Sequence, residues 1–360
     1  MSVQIPYRKQ FIFYILLIII FLIIILSAVE LLVRAYEVAF PYCDYIGKDA
    51  LDNVDLEVQK QECFALDHVA YTSVEGVLIP KPNQHFANMN INSHGFRGPE
   101  ITQEKPSDMI RIFILGGSTT FGTVTSDSAT IPAFLQEKID STMIDHRIQV
   151  INAGILGFDS ADEIRLLKNY VEKFDPDIVM VYDGINNASV NQILAPEDGE
   201  YSSPMWKILT YIYEYYRTPT HIYKNFMPGL ELGVSIDEKL SDEQAQLWRD
   251  DWKEVCSQNR DYKIILFIQP SLSNKTHLSE DESLILKLDP RNKQINYTLE
   301  KMADISSELK GTCDGVFDLR SSFENVTEPI FFDHAHVNDL GNKIIAEKMY
   351  ENLLPYLPRV

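Results

Sequence analysis

Basic residues are scarce. The 360-residue chain carries 32 Lys and Arg against 52 Asp and Glu, a formal net charge of -20. Binding a phosphate backbone needs clustered cations, so no nucleic-acid partner is expected. Acidity of this size reports solubility and does not select a substrate. Cysteine is rare too: Cys43, Cys63, Cys256 and Cys313 are the four present, none in C-x-x-C or another zinc-like spacing. There is no internal repeat, no dinucleotide fingerprint, no phosphate loop ending in Gly-Lys-Ser/Thr. A G-x-S-x-G elbow fails because Thr120 stands where its last glycine belongs. With 45% hydrophobic and 23% charged residues, the chain can build a real core, as one large domain or two small ones.

One long hydrophobic run is present. Phe11 to Val29 is almost unbroken Phe, Ile, Leu and Val, softened by Tyr14, Ser27 and Ala28, and Glu30 is the first charge. A helix crossing the hydrocarbon core needs roughly 20 apolar residues. The run is apolar on every face, unlike an amphipathic surface helix. We expect an uncleaved transmembrane signal-anchor over 11–33. A cleaved signal peptide is the other reading, but its apolar core is typically about 7–15 residues, and Leu26-Ser27-Ala28 is a poor cleavage site. Arg8 and Lys9 precede the run. The positive-inside rule then leaves residues 1–10 in the cytoplasm and the remaining chain outside, in a single-pass protein of the cell membrane.

Residues 34–105 lack strong helical periodicity and carry Pro41, Pro80, Pro82 and Pro99. They read as a juxtamembrane stalk and small accessory region, ending in the turn-rich Asn92-Ser93-His94-Gly95-Phe96-Arg97-Gly98-Pro99-Glu100. His94 and Arg97 either line a pocket or only order this turn. Residues 106–360 alternate strands and helices. Strands are expected at Ile110–Leu115, Ile148–Asn152, Ile178–Tyr182, Ile264–Gln269 and Val316–Leu319. Helical patterns lie at Ser160–Phe174, with Ser160 as N-cap and Glu163 closing a capping box, and at about Glu243–Ser257, Lys293–Leu309 and Leu340–Leu354. Such alternation means a parallel sheet covered on both faces. An insertion over 188–240 exceeds what a crossover needs. Its Trp206, Tyr211, Tyr213, Tyr215, Tyr216 and Tyr223 fit an aromatic helix packed on the domain, a lid over the site, or a surface against the bilayer.

The chemistry-bearing residues follow the strands, where open α/β sheets place their ligands. Ser118 comes directly after Gly116-Gly117 at the end of the first strand. A serine needs a base, and the base an orienter. In Phe331-Phe332-Asp333-His334-Ala335-His336-Val337-Asn338, Asp333 and His336 are three apart on a loop entering a helix, a spacing that lets the carboxylate fix the imidazole tautomer. The same pair could serve a metal, but no third and fourth ligand of clear spacing accompany it. Acyl transfer also needs oxyanion donors. The turn Asn152-Ala153-Gly154-Ile155-Leu156-Gly157-Phe158-Asp159 and the turn Asp183-Gly184-Ile185-Asn186-Asn187 offer backbone N–H groups and a side-chain amide.

Rim loops carrying Ser, Gly, Asn and Asp-x-x-His in that order resemble the SGNH hydrolases, or GDSL esterase/lipase family, over roughly Ile110 to Leu354. The Asn-Ser-x-Gly-Phe-Arg lead-in resembles that of membrane-anchored members. The resemblance implies a three-layer α/β/α flavodoxin-like domain with a five-stranded parallel sheet. It implies Ser118 as nucleophile and oxyanion donor, Gly157 (in preference to Gly154) and Asn186 as further donors, His336 as general base and acid, and Asp333 as its orienter. No cofactor is implied. Two positions depart from the family pattern: Gly117 replaces its usual Asp, giving Gly-Gly-Ser, and Asn187 replaces the usual Asp after the oxyanion Asn.

The function expected is a serine esterase hydrolysing carboxylic O-acyl or O-acetyl esters through an acyl-enzyme, on a small-molecule, glycan or lipid substrate. The alternatives are acyl transfer to a cell-surface glycan and binding of polysaccharide or lipid without turnover. Oligomeric state is not legible. Sequons occur at Asn187, Asn274, Asn296 and Asn325. A glycan on Asn187 would block the expected site, so Asn187 is expected bare. Cys256 and Cys313 precede neighbouring strands, close enough for a bridge. Cys43 with Cys63 is the second expected pair, against the reading of four free buried thiols. Alkylation of the denatured chain without reductant should therefore modify no cysteine, and with reductant all four; unchanged mobility between the two would count against both bridges.

Overall fold

The computed structural model describes residues 7–39, 43, 45–143, 147–188, 238–288 and 291–358. The chain divides into two units, 1–42 with 191–232 and 43–190 with 233–360. The described part of the first unit is one helix, α1 (Tyr7–Ala39). Its span Tyr7–Tyr36 is long and apolar enough to cross a membrane, and Phe11, Leu16, Phe21 and Leu26 are all exposed on it. Residues 189–237, which carry the aromatic insertion, lie outside the described residues.

The second unit opens with Cys43, bonded to Cys63, and a helix, α2 (Leu56–His68), whose N-cap Asp55 accepts the Glu57 N–H. This helix falls where the sequence shows no helical periodicity. The reason is its inward face, which buries Gln59 and Glu62 beside Cys63 and Ala65; Gln59 Nε2 donates to the carbonyls of Leu51 and Val54. Two short hairpins follow, β1 (Tyr71–Val74) with β2 (Val77–Pro80), and β3 (Gln84–His85) with β4 (Asn90–Ile91).

The five expected strands are all present, as β5 (Met109–Gly116), β6 (Arg147–Gly154), β7 (Ile178–Asp183), β8 (Lys263–Ile268) and β9 (Gly315–Asp318). They form one parallel sheet in the order β6-β5-β7-β8-β9, a flavodoxin-like order whose switch point lies between β5 and β7. Period-two alternation explains the apolar runs. A single helical turn, α3 (Ser118–Phe121), follows β5. Ile112 and Ile114 of β5 join Met180 on one face, packed by α4 (Ile131–Thr142) and a C-terminal helix of residues 339–353. Phe113 and Leu115 join Val179 and Val181 on the other. That face is covered by α5 (Ser160–Asn169) and by helices Glu238–Ser257 and Arg291–Ile305. The result is a three-layer α/β/α domain. Arg111, the charge within the first run, is fully buried; it donates to the Phe174 carbonyl and to Gln149.

The start of α5 corrects one expectation. The N-cap is Asp159, whose carboxylate accepts the Asp162 N–H, not Ser160. With that acceptor one residue earlier, Ser160 lies inside the helix and donates to Asp251 at 2.6 Å. Glu163 closes no capping box. It sits on the inward face with Leu166 and Leu167, fully buried, and neither of its oxygens has a hydrogen-bond partner. The helix also ends sooner, giving way to a 3-10 turn over Val171–Phe174.

Asp183, at the end of β7, is a second buried acid; it accepts from its neighbour Gly184 N–H and from Trp252 Nε1. Burial raises its carboxyl to about 7. Burial first, then the charges of Asp183, Asp159 and Asp162, raises Glu163 well above the usual carboxylate range. The unfolded chain gives up these protons near about pH 4. Between there and about pH 7 the folded state holds more protons, so stability falls as pH rises. Glu163→Gln removes one of these titrations. Its stability relative to wild type should rise by on the order of 2 kcal/mol between about pH 5 and about pH 7, measured by urea unfolding. A difference that does not change with pH would show that Glu163 is not a titrating group.

Candidate active site

Ser118 and His336 stand 218 positions apart in sequence and meet at the C-terminal rim of the sheet, with Ser118 Oγ 2.7 Å from His336 Nε2. His336 Nδ1 lies 2.6 Å from Asp333 Oδ2. The other carboxylate oxygen, Oδ1, accepts the N–H groups of Ala335 and His336 at 2.8 and 2.7 Å. With Nδ1–H donating to Asp333, Nε2 is left to accept the Ser118 proton. Both ring nitrogens are thus engaged by protein side chains. Burial pushes the Asp333 carboxyl up, but the charge and hydrogen bonds of His336 outweigh it and hold the group well below the usual carboxylate range. It stays ionised beside the ring. Among the described residues no cluster of three or more His, Cys, Asp and Glu side chains suited to a metal occurs.

The loop carrying Asp333 and His336 is closed by its own backbone. Phe332 N–H donates to the His336 carbonyl and Asn338 N–H to that of Ile330. Asn338 then caps the C-terminal helix (Asp339–Leu353) by accepting the Gly341 N–H. From below, an ion pair of Lys275 and Glu282 with both side chains fully buried braces the loop. Glu282 Oε1 accepts the N–H groups of Ile330 and Phe331 at 2.9 and 3.0 Å. From the side, Tyr45 packs on Phe332, ring centroids 4.8 Å apart, and stands 6.3 Å from the His336 ring.

The serine turn is shaped by close backbone approaches. Ser118 opens a single turn of helix over Ser118–Phe121. A Cβ on Gly116 would overlap the Thr120 side chain, and one on Gly154 would overlap the Phe121 backbone N. A Cβ on Gly117 would overlap Asn186 Nδ2. Glycine at 117 is therefore what lets the Asn186 amide lie over the serine turn, a physical reason for Gly-Gly-Ser in this chain. The same crowding separates the two candidate donors in the glycine turn. Gly154 is spent on packing, whereas Gly157 is exposed, has φ +79° and has no atom within 4 Å of an added Cβ.

The turns are also tied to one another. Ile155 N–H donates to the Gly116 carbonyl, and Asn186 Nδ2 donates to the Phe158 carbonyl at 2.6 Å. One N–H of that amide remains for a ligand. Asn187 is buried; its side chain accepts from Ser160 N–H and donates to Ser160 Oγ. A glycan on Asn187 would require this side chain to leave its buried place. The structure joins Cys256 to Cys313, Cα atoms 4.9 Å apart, as well as Cys43 to Cys63.

Sequence reasoning left His94 and Arg97 between two roles. Both order structure. The His94 ring packs edge-on to Phe174, 5.1 Å away. Arg97 is buried and donates to the carbonyls of Phe121 (3.0 Å), Gly122 (2.5 Å) and Thr125 (2.5 Å) and to Asp127 (2.9 Å). The segment it grips runs straight on from the serine turn and includes Gly122 at φ +99° and Val124 at φ +49°. A β-branched residue in the left-handed region is strained, and such strain persists only where the surroundings over-determine it. Arg97 supplies that constraint from the accessory region. Lys275 and Glu282 gave no sequence signal, because an isolated Lys and Glu read as surface residues.

No family model and no curated protein matches the chain. Among solved structures it is similar to LAE5, an alpha/beta hydrolase enzyme from the metagenome of Lake Arreo, Spain, at 13% identity over 69% of this chain and 97% of that one, TM-score 0.42. It is similar to a catalytic mutant of Axe2, an acetylxylan esterase from Geobacillus stearothermophilus, at 15% identity over 68% and 94%, TM-score 0.41. It is also similar to the acetyl xylan esterase AlAXEase, at 18% identity over 67% and 98%, TM-score 0.37. The likeness is remote, and what the site can do rests on its own geometry.

Lysine cannot reproduce the planar fork of Arg97. Arg97→Lys should lower the free energy of unfolding by about 2–4 kcal/mol in urea denaturation, the usual range for breaking a buried, hydrogen-bonded charge. A loss within about 0.5 kcal/mol, the scatter of ordinary surface changes, would show that the three carbonyls do not depend on it.

Proposed function

We propose that the protein is a membrane-anchored, extracytoplasmic serine esterase of the SGNH type. One observation carries the reading: a serine hydroxyl, an imidazole and an ionised carboxylate in sequence, at 2.7 and 2.6 Å. His336 takes the Ser118 proton as Oγ attacks the ester carbonyl. The oxyanion is received by the N–H groups of Ser118 and Gly157 and by the free N–H of the Asn186 amide. Asp333 stabilises the imidazolium, which then protonates the departing alkoxide. Water, deprotonated by His336, attacks the acyl-enzyme and frees the acid and Ser118. Each step balances with protein groups and water alone.

For the location, the apolar helix with Arg8 and Lys9 ahead of it supports a signal-anchor with residues 1–10 inside. The pairing of all four cysteines supports an oxidising compartment for the rest. An acyl ester of a small molecule, glycan or lipid fits the donor set; the site itself favours none of these.

A fluorophosphonate should label the full-length, folded protein at Ser118, and Ser118→Ala should abolish labelling. Asn186→Ala should lower kcat on an aryl acetate about 10²–10³-fold, the usual effect of losing one oxyanion donor. Folded wild type that neither labels nor turns over the acetate would end the esterase reading.

A further inference from the structure

Gln269 is the first residue after β8, on the same rim as Ser118, Asn186 and His336. Its backbone N–H donates to the Asp183 carbonyl at 3.1 Å, which seats it beside the turn that carries Asn186. Its Cγ lies 3.8 Å from where a Cβ on Gly184 would be. On the other side its Oε1 accepts from Thr119 Oγ1 at 3.1 Å, and Thr119 is the residue after Ser118. The side chain thus lies between the nucleophile turn and the asparagine turn.

It is only 2% exposed, so its amide is held in place and not free to swing. With Oε1 taken by Thr119, the amide presents its Nε2. That nitrogen has no hydrogen-bond partner among the described residues, and it is not sealed off as the partnerless Glu163 oxygens are. It therefore reaches solvent at the rim. A donor fixed at one end and open at the other, one residue from the nucleophile, is arranged to meet an acceptor on a bound molecule. The site's catalytic steps do not use it.

We propose that Gln269 is a substrate-binding residue whose Nε2 donates to a second oxygen of the ester, a hydroxyl or ether on its acyl or alcohol part, and so selects oxygen-bearing esters over plain alkyl ones. This rests on the esterase reading and adds a substrate class to it. Thr119 is the positioning residue for the amide. Pairing the donor with substrate gains a hydrogen bond that an alkyl chain cannot supply.

The test uses ester pairs that differ by one CH₂-to-oxygen replacement. On the acyl side these are p-nitrophenyl butyrate and p-nitrophenyl methoxyacetate; on the alcohol side, butyl acetate and 2-methoxyethyl acetate. For each pair the ratio of kcat/KM, oxygen-bearing over alkyl, is compared between wild type and Gln269→Met. In at least one pair the ratio should fall about tenfold, which is about 1.4 kcal/mol. Thr119→Val removes the hydroxyl that fixes Oε1 and leaves the amide unpositioned, so its ratio should fall as well. If both variants slow the two members of every pair equally, Gln269 only shapes the turn and the proposal is overturned. If wild type cleaves none of the four esters, the esterase reading fails and this one with it, an outcome distinct from the last.

Discussion

The hydrogen bond between Ser118 and His336 is the contact on which the rest of the structure bears. It joins the turn after one strand to the loop after another, and neither is held there by sequence proximity. A parallel sheet solves half of this problem, because every strand ends on the same edge. The remainder is a matter of ångströms. The imidazole is fixed by Asp333, by the backbone closure from Ile330 to Asn338, and by a buried ion pair that grips Ile330 and Phe331. The serine is fixed by glycines that let the serine, glycine and asparagine turns crowd against one another. A misplacement of about 1 Å between such groups is costly to catalysis, which is the physical sense of bracing both sides separately.

The accessory region is part of this bracing. It carries Arg97 under the segment that follows the serine turn, and Tyr45 against the loop that carries His336. Residues 43–105 belong to the same compact unit as the sheet. The strained Val124 is explained only with this region in place. Charge at the rim is arranged in opposite ways on its two sides. Asp333 is kept ionised by its partner, whereas Glu163 and Asp183 lie deeper under the asparagine turn and are pushed toward the neutral form.

Much of the fold was legible because its strands are buried on both faces and read as continuous apolar runs. Ile110–Leu115 and Ile178–Tyr182 needed no periodicity argument at all. Arg97 had a signal, the polar turn-rich run around it, but the run does not say which carbonyls the guanidinium meets. Helix α2 has no apolar stripe in the sequence, since two of its inward residues are Gln59 and Glu62, and the cap of α5 is ambiguous by one residue because Ser160 and Asp159 are both good caps. Thr119 and Gln269 have no sequence signal: their pairing depends on β5 and β8 ending level, two strands apart in the sheet.

The amino-acid sequence by itself determined the apolar N-terminal helix, the five strands with their covering helices, and the pairing of Asp333 with His336, since each follows from residues within about one element of each other. Tertiary structure alone decided which serine the imidazole meets, why residue 117 must lack a side chain, and which buried charges are satisfied. Those outcomes depend on strand order and on side-chain contacts between different elements, and hydrophobic patterning carries no information about either.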